Sequence, residues 1–209
     1  MDVTQVTGEK MKSEKRVNVR NMTVTAMLSA VAFVLMFLDT AVPFMPSFIK
    51  LDLSELPAPM AGFALGPVWG VVVCFIKNVL HLTISQTGGI GELSNFILGA
   101  SFVAPAALIY AHKKTKTNAI IGAIVGALIM GIISFPSNLF VVYPFYYNFM
   151  PKEVIIEAYQ ALVPFAKISS IEQCLLFFNV PFTFVKGMLS AIITILIYQP
   201  LRPLLKGNK

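Results

Sequence analysis

Read as a pattern of apolar and polar positions, the chain carries five long hydrophobic runs, near Met22–Leu38, Ala58–Leu80, Leu93–Tyr110, Ala119–Phe140 and Leu175–Tyr198. Each is of a length to cross a hydrocarbon core as a helix. Five crossings would leave the two chain ends on opposite sides of a membrane. The basic residues place them on the same side. Eleven of the sixteen Lys and Arg fall in three clusters: Lys10, Lys12, Lys15, Arg16 and Arg20; Lys113, Lys114 and Lys116; Arg202, Lys206 and Lys209. The positive-inside rule puts all three in the cytoplasm, which needs an even number of crossings between neighbouring clusters. Splitting the second run at Gly66-Pro67 resolves the conflict, because proline lacks an N–H and glycine frees the backbone. The run becomes two short helices, roughly Pro57–Leu65 and Val68–Ser85. The expected fold is therefore an all-α membrane protein with six transmembrane helices and both N- and C-termini cytoplasmic. Residues 1–20 read as a polar, mobile cytoplasmic tail, 21–200 as the six-helix transmembrane domain, and 201–209 as a short cytoplasmic tail.

Composition strengthens this reading. Mean hydropathy is +0.77, and 12% of residues are charged, against about 25% in an average soluble domain. The net charge of +6 does not point to nucleic acid, since the basic residues flank apolar runs and form no single patch. They read as topology signals beside anionic lipid. Cys74 and Cys174 lie far apart with no C-x-x-C, and read as small core or lipid-facing residues. The first run is too long for a signal-peptide core, and no small-residue cleavage site follows it.

Local chemistry sits at few positions. In the first helix Ala26 and Ala30 are one turn apart, and small residues at this spacing admit a close helix, either from a partner or from within the bundle. The loop over 41–56 holds Pro43 and Pro46, which stop a helix, and Phe44, Phe48 and Ile49, which suit a lid packed over something. Lys50 to Leu53 alternates as an extended segment does. Ser54 suits the N-cap of the following helix, and Pro57 its first turn. Lys77 and His81 are four apart on an apolar helix beside Asn78. A cation there costs about 2.5–3.5 kcal/mol facing lipid, so it marks a polar cavity, a buried structural network, or a lysine snorkelling to the interface.

Glu92 suits the start of the next helix. Gly122 and Gly126 form a G-x-x-x-G. Ser134 and Asn138 share a face near Pro136, and Tyr143, Phe145, Tyr146, Tyr147 and Phe149 suit an outer aromatic belt. Residues 151–174 form an outer connection with room for a surface helix. In the last run Asn179, Thr183 and Lys186 form one polar stripe, either a site or a structural feature of the bundle. Pro200 and Pro203 are placed to end the helix.

No catalytic constellation is visible: there is no H-E-x-x-H, no G-x-S-x-G and no phosphate loop. Two histidines, one of them interfacial, do not assemble a metal site, and no cofactor is implied. The acidic residues fall mostly in loops, so a proton relay lacks its usual intramembrane carboxylate. What remains is a bundle whose outer half can collect Lys77, Asn78, Asn95, Asn138, Asn179, Thr183 and Lys186. Amides with one or two cations suit an uncharged or weakly anionic ligand rich in hydrogen-bonding atoms, and phenylalanines suit a flat aromatic part of it.

The residues resemble a known family at MLSAVAFVLMF (from Met27), LDLSELPAPMAGFALGPVWGVVVCFIKNVLH (from Leu51), GELSNFILGASFVAPAALIYAHKK (from Gly91), SNLFVVYPFY (from Ser137) and VPFTFVKG (from Val180). The chain resembles the substrate-binding S components of energy-coupling factor vitamin transporters, most closely the riboflavin-specific branch. The resemblance implies a non-enzymatic subunit in the plasma membrane of a prokaryote, with riboflavin captured from outside in a pocket covered by the first loop. It implies docking through Ala26 and Ala30 on a transmembrane coupling protein of the EcfT type, driven by two cytoplasmic ATPase subunits, with the S component toppling in the membrane to deliver its ligand. Leu51, Asp52, Asn95, Asn138 and Lys186 match positions of the family's ligand-binding set; Lys77, Asn78 and Thr183 join them from the polar pattern. One departure stands out: where the riboflavin branch has P-F-N-x-x-K, this chain has Thr183 in place of the asparagine. That leaves open another vitamin, such as folate or pantothenate, or a flavin analogue. An intramembrane enzyme using Lys77, His81 or Lys186 as a base is the other class of function, and no oriented nucleophile–base pair supports it.

Overall fold

The computed structural model describes residues 3–42, 45–46, 49–85, 87–163 and 168–206. Nine α-helices are described: α1 (Val3–Met36), α2 (Pro57–Leu65), α3 (Pro67–His81), α4 (Ile90–His112), α5 (Lys116–Ser137), α6 (Tyr143–Tyr146), α7 (Lys152–Gln160), α8 (Ile171–Cys174) and α9 (Val180–Lys206). Two π-helical stretches, Asn138–Val142 and Leu175–Asn179, join α5 to α6 and α8 to α9. A two-residue strand β1 (Thr40–Ala41) pairs antiparallel with β2 (Lys50–Leu51), in the register Thr40 with Leu51.

The break at Gly66-Pro67 is present, and its cause is visible in the backbone. Gly66 has φ +119°, a conformation that side-chain-bearing residues rarely adopt. Its N–H closes α2 on the Gly62 carbonyl at 3.1 Å. Pro67 then opens α3, where its missing N–H costs nothing. Among the described residues five helices are long and apolar enough to span a membrane: Val19–Met36, Pro67–Ile84, Ile90–His112, Lys116–Tyr146 and Ile171–Tyr198. The nine-residue α2 is roughly 14 Å long and covers about half of a hydrocarbon core.

Three apolar clusters organise the bundle. Ala32, Ala58, Val73, Phe102, Ala127 and Ala191 meet in its middle. Phe63, Tyr110 and Tyr198 close one end together with Val24 and Ala119. Tyr143, Ile155, Tyr159, Ile171 and Leu175 close the other. The start of the apolar part of α1, the α4–α5 turn with its lysines and the late part of α9 thus lie at the same end. The surface between the ends exposes Val34, Phe75, Phe140, Phe177 and Leu196, an apolar girdle of the kind lipid covers.

Several local expectations change. The helix of α1 starts at Val3, so the segment read as a tail continues the first helix. α9 runs through Pro200 and Pro203 to Lys206 instead of ending at them. Ser54 does not cap α2, whose N-cap position is Leu56 without a side-chain hydrogen bond. The connection over 151–174 does form a helix, α7, which buries Ile155 and Tyr159. Of the residues expected to form the lid, Pro43, Phe44 and Phe48 lie outside the described residues. The G-x-x-x-G of α5 serves packing inside the bundle: a Cβ on Gly122 would sit 2.6 Å from the Ala106 carbonyl oxygen, and one on Gly126 2.4 Å from that of Phe102.

Candidate ligand-binding cavity

At the end closed by the tyrosine cluster, the described part of the loop before α2 meets residues of α4, α5 and α9. The β1–β2 pair and an ion pair between Lys50 and Asp39 at 2.7 Å hold this loop closed on itself. It presents Ile49 and Lys50 to a cavity of about 200 Å³. Just past the strand the chain turns on Asp52, whose Oδ1 accepts from the Ser54 N–H at 2.9 Å and from the Ser54 hydroxyl. The Ser54 hydroxyl is taken up by side chains, donating to Asp52 and accepting from Lys77 Nζ, so it is not available to α2.

A buried ionic chain starts there. Lys186 Nζ on α9 donates to Asp52 Oδ2 at 2.9 Å. Lys77 Nζ on α3 donates to Ser54 Oγ and to Glu55 Oε1, both at 2.8 Å. Two ammonium groups thus face two carboxylates, so the network carries no net formal charge. Breaking such a buried pair on one side leaves a charge uncompensated, at about 3–5 kcal/mol. Burial opposes ionisation of Asp52, but Lys186, Lys77 and the Ser54 hydroxyl outweigh it and hold its carboxyl well below the usual range. Lys77 is fully buried, so it does not snorkel, and its ammonium is turned to Ser54 and Glu55 instead of the cavity.

The far wall is built by the two π-helical stretches. In each, a backbone N–H reaches back five residues, Tyr143 to Asn138 and Val180 to Leu175. A proline follows two positions after each stretch, Pro144 and Pro181. Neither can donate in an α-helical ladder, and π-bulges recur at functional sites. The widened turns bring Asn138, Val142 and Asn179 to the cavity, beside Phe182, Thr183 and Lys186 of α9 and Tyr146 of α6. Asn138 Nδ2 donates to the Ser134 carbonyl at 2.7 Å. Tyr159 of α7 donates to Asn179 Oδ1 at 2.6 Å and lies 2.6 Å from the Tyr143 hydroxyl. Burial, and then Tyr143, push the Tyr159 phenol far above its usual range, so it remains a donor. The third wall comes from α4, with Gly91, Ser94, Asn95 and Leu98.

Of the residues expected at a site, Asn95, Asn138, Thr183 and Lys186 line the cavity. Asp52 stands behind it as the partner of Lys186, and Leu51 lies in β2 without lining it. Lys77 and Asn78 do not reach it: Lys77 is held by Glu55, and Asn78 Nδ2 donates to the Cys74 carbonyl at 2.7 Å. His81 lies 2.7 Å from Glu92, whose other oxygen accepts from Ser85 and Thr87. This set clamps the end of α3 to the start of α4. Ala26 and Ala30 are exposed, because Thr25, Ser29 and Ala32 take the buried face of α1.

Glu55, Lys50 and Tyr146 line the cavity without having been singled out from sequence as ligand-facing. Glu55 sits in a loop, as expected of most acids here, but it is buried against the bundle. The signal was available in Lys77: a buried cation needs a counter-charge, and Asp52 and Glu55 are among the few acids near the apolar runs. Tyr146 and Tyr143 were read as an outer belt, but Tyr143 is buried and Tyr146 faces the cavity. Among the described residues no group of three His, Cys, Asp or Glu could hold a metal ion.

Comparison with known proteins places this geometry. The chain is 34% identical over 181 residues to the riboflavin transporter RibU of Staphylococcus aureus (strain TCH60), covering 87% of this chain and 89% of that protein. It is 28% identical over 194 residues to the riboflavin transporter FmnP of Bacillus subtilis (strain 168), covering 91% and 96%. A solved structure described as the S component of a bacterial ECF transporter superposes with a TM-score of 0.73 at 31% identity, over 90% of this chain and 99% of that one. The family described as ECF transporter, substrate-specific component, matches residues 20–198. This chain, a helical membrane protein, belongs to the substrate-specific components of ECF transporters.

Proposed function

We propose that this chain binds riboflavin and takes part in its uptake. Similarity along nearly the whole length to two riboflavin transporters carries the reading. The cavity supports it independently: amides at Asn95, Asn138 and Asn179, a paired ammonium at Lys186, and aromatic Phe182 and Tyr146 suit a flat heterocycle with many donors and acceptors. Ligand enters from the outer side, over which the loop before α2 closes. In this reading the segment α2–α3 makes the six-crossing count even, both ends of the chain are cytoplasmic, and the protein resides in the plasma membrane of a prokaryote. The exposed Ala26–Ala30 face docks on a transmembrane coupling protein that works with two cytoplasmic ATPase subunits, and the chain itself catalyses no reaction.

The absorption spectrum of detergent-purified protein tests the ligand. Stoichiometric flavin bands, or saturable quenching of added riboflavin fluorescence, are the expected result. A folded protein that does neither rejects riboflavin. Thr183, which lines the cavity where a riboflavin-type pattern carries an amide, favours a second reading in that event: another vitamin or a flavin analogue, identified by competition.

A further inference from the structure

A second cavity, of about 110 Å³, lies at the opposite end of the bundle from the ligand cavity. Its buried wall is Phe63 of α2, Tyr110 of α4 and Tyr198 of α9. These rings are held by one another: the Phe63 ring centre is 4.9 Å from that of Tyr110 and 5.7 Å from that of Tyr198, and the Tyr198 hydroxyl donates to the Phe63 carbonyl at 3.1 Å. Lys114 and Lys116 of the α4–α5 turn complete the lining, and both are exposed. Neither makes an ion pair with a carboxylate among the described residues. The carboxylates whose side chains are described lie within 39–55, at Glu92 and in α7 and α8, all toward the other end. Glu92 and Lys114 are separated by the length of α4, roughly 33 Å.

An apolar path leads from these lysines along the membrane span. Lys116, Ile120, Ile124, Ala127 and Gly131 follow one another at helical spacing on one face of α5. Deep in the bundle α9 covers that face: a Cβ on Gly187 would meet the Ala127 Cβ at 3.0 Å, and one on Gly131 would meet the Phe184 Cβ at 3.3 Å. Nearer the lysines the face is open, with Ile120 and Ile124 each 38% exposed. We propose that this cavity is a binding site for one anionic glycerophospholipid, its phosphate held by Lys114 and Lys116 and an acyl chain laid along Ile120 and Ile124. Basic pockets between membrane helices attract anionic headgroups. The two tyrosines suit the glycerol level, where one side is apolar and the other wet. A free phosphate ester would use the lysines alone, and the open apolar face beside them favours the lipid. The site does not depend on which ligand fills the other cavity.

Phosphatidylglycerol and phosphatidylcholine with identical acyl chains are titrated onto the full chain in mild detergent, and bound lipid is counted by native mass spectrometry. The proteins compared are wild type, Lys113→Gln, and the double variant Lys114→Gln with Lys116→Gln. All three lysines are exposed, so their replacement leaves the fold intact. Wild type is expected to hold one phosphatidylglycerol about tenfold tighter than phosphatidylcholine. The double variant is expected to shrink that preference to within about threefold. Lys113 does not line the cavity, and Lys113→Gln is expected to keep it. Excess glycerol 1-phosphate is expected to leave the lipid bound; displacement by it would assign the lysines to a free phosphate ester and overturn the inference. A loss in Lys113→Gln as large as in the double variant would reduce the site to diffuse surface charge. A wild type without any preference for phosphatidylglycerol would leave this face to a protein partner. Either result overturns the inference.

Discussion

Asp52, in the loop before α2, and Lys186, 134 positions later in α9, form a part-buried ion pair of 2.9 Å. The pair joins the segment before α2 to a helix that lines the cavity. Its pH dependence follows from the lowered Asp52 pKa. Burial alone would raise that pKa, and the two lysines reverse the sign. A carboxylate depressed in the folded state contributes stability that is fully present above its unfolded value, near 3.9, and lost as pH falls through the lower folded value. Thermal stability is therefore expected to show no Asp52-dependent change between about pH 5 and 8 and to decline below about pH 4. Melting curves of wild type and Asp52→Asn across that range check this. A decline setting in near pH 6 that Asp52→Asn removes would contradict it.

Truncating one partner has a different signature from removing both. Lys186→Ala leaves the Asp52 carboxylate buried and unpaired, and is expected to lose about 3–5 kcal/mol of stability. The double variant Asp52→Asn with Lys186→Met removes both charges and is expected to recover part of that loss while ligand affinity stays low. Denaturation of the two variants side by side gives the comparison. A double variant less stable than the single one would mean that the pair is not the source of the loss.

Two small-residue patterns look alike in sequence and differ in the fold. Gly126 faces the Phe102 carbonyl oxygen, where a Cβ would come within 2.4 Å, whereas Ala26 and Ala30 face outward. Gly126→Leu is expected to separate α4 from α5, with a drop in melting temperature and loss of ligand binding; overpacking of this kind costs about 1–3 kcal/mol or more. If the proposed docking holds, Ala26→Leu with Ala30→Leu is expected to leave melting and ligand affinity unchanged and to abolish copurification with the other ECF subunits. Loss of ligand binding in the alanine variant would show that this face packs within the chain.

A tyrosine hydroxyl of α7 reaches the cavity wall. Tyr159 donates to Asn179 Oδ1 and neighbours the Tyr143 hydroxyl, and Tyr159 and Tyr143 are both buried. Tyr159→Phe removes that hydroxyl with little change in volume and leaves the amide oxygen without its donor, at about 1–3 kcal/mol. Faster hydrogen exchange over α7 and weaker ligand binding are the expected results. Unchanged exchange would mean that the apolar contacts of Ile155 and the Tyr159 ring hold α7 by themselves.

How much of this was readable beforehand depended on whether a residue's role is local. The Gly66-Pro67 break is local: the backbone of two residues decides it. Asn95, Asn138, Thr183 and Lys186 were legible because polar residues in apolar helices must face inward. Glu55 was not, since its position depends on Lys77 in another helix and on the room left by Gly99 in a third. Ser54 went wrong for a similar reason: the cap position competes with Asp52 and Lys77, and only the folded loop decides between them. The π-helical stretches have a trace in Pro144 and Pro181, but a proline signals a kink as readily as a widened turn. The course of α9 through Pro200 and Pro203 shows the converse, that proline disfavours a helix without forbidding one.

Thr183 is where the chain departs from the pattern of the branch it otherwise resembles, and it lines the cavity between Asn179 and Lys186 on one face of the last helix. A hydroxyl offers one donor and an acceptor oxygen on one atom, whereas a carboxamide offers two donors and a separate carbonyl acceptor on a longer arm. Thr183→Asn therefore adds hydrogen-bonding capacity at the ligand without disturbing the buried ion pair behind it. If riboflavin occupies the cavity, its affinity is expected to rise by about tenfold, the worth of one good hydrogen bond in a water-poor site. The dissociation rate, followed by fluorescence recovery after dilution, is expected to fall in proportion, since affinity changes within one interface reside mostly in dissociation. A weaker riboflavin complex in Thr183→Asn would mean that Asn179, held by Tyr159 one turn earlier, already supplies the amide and leaves no room for a second.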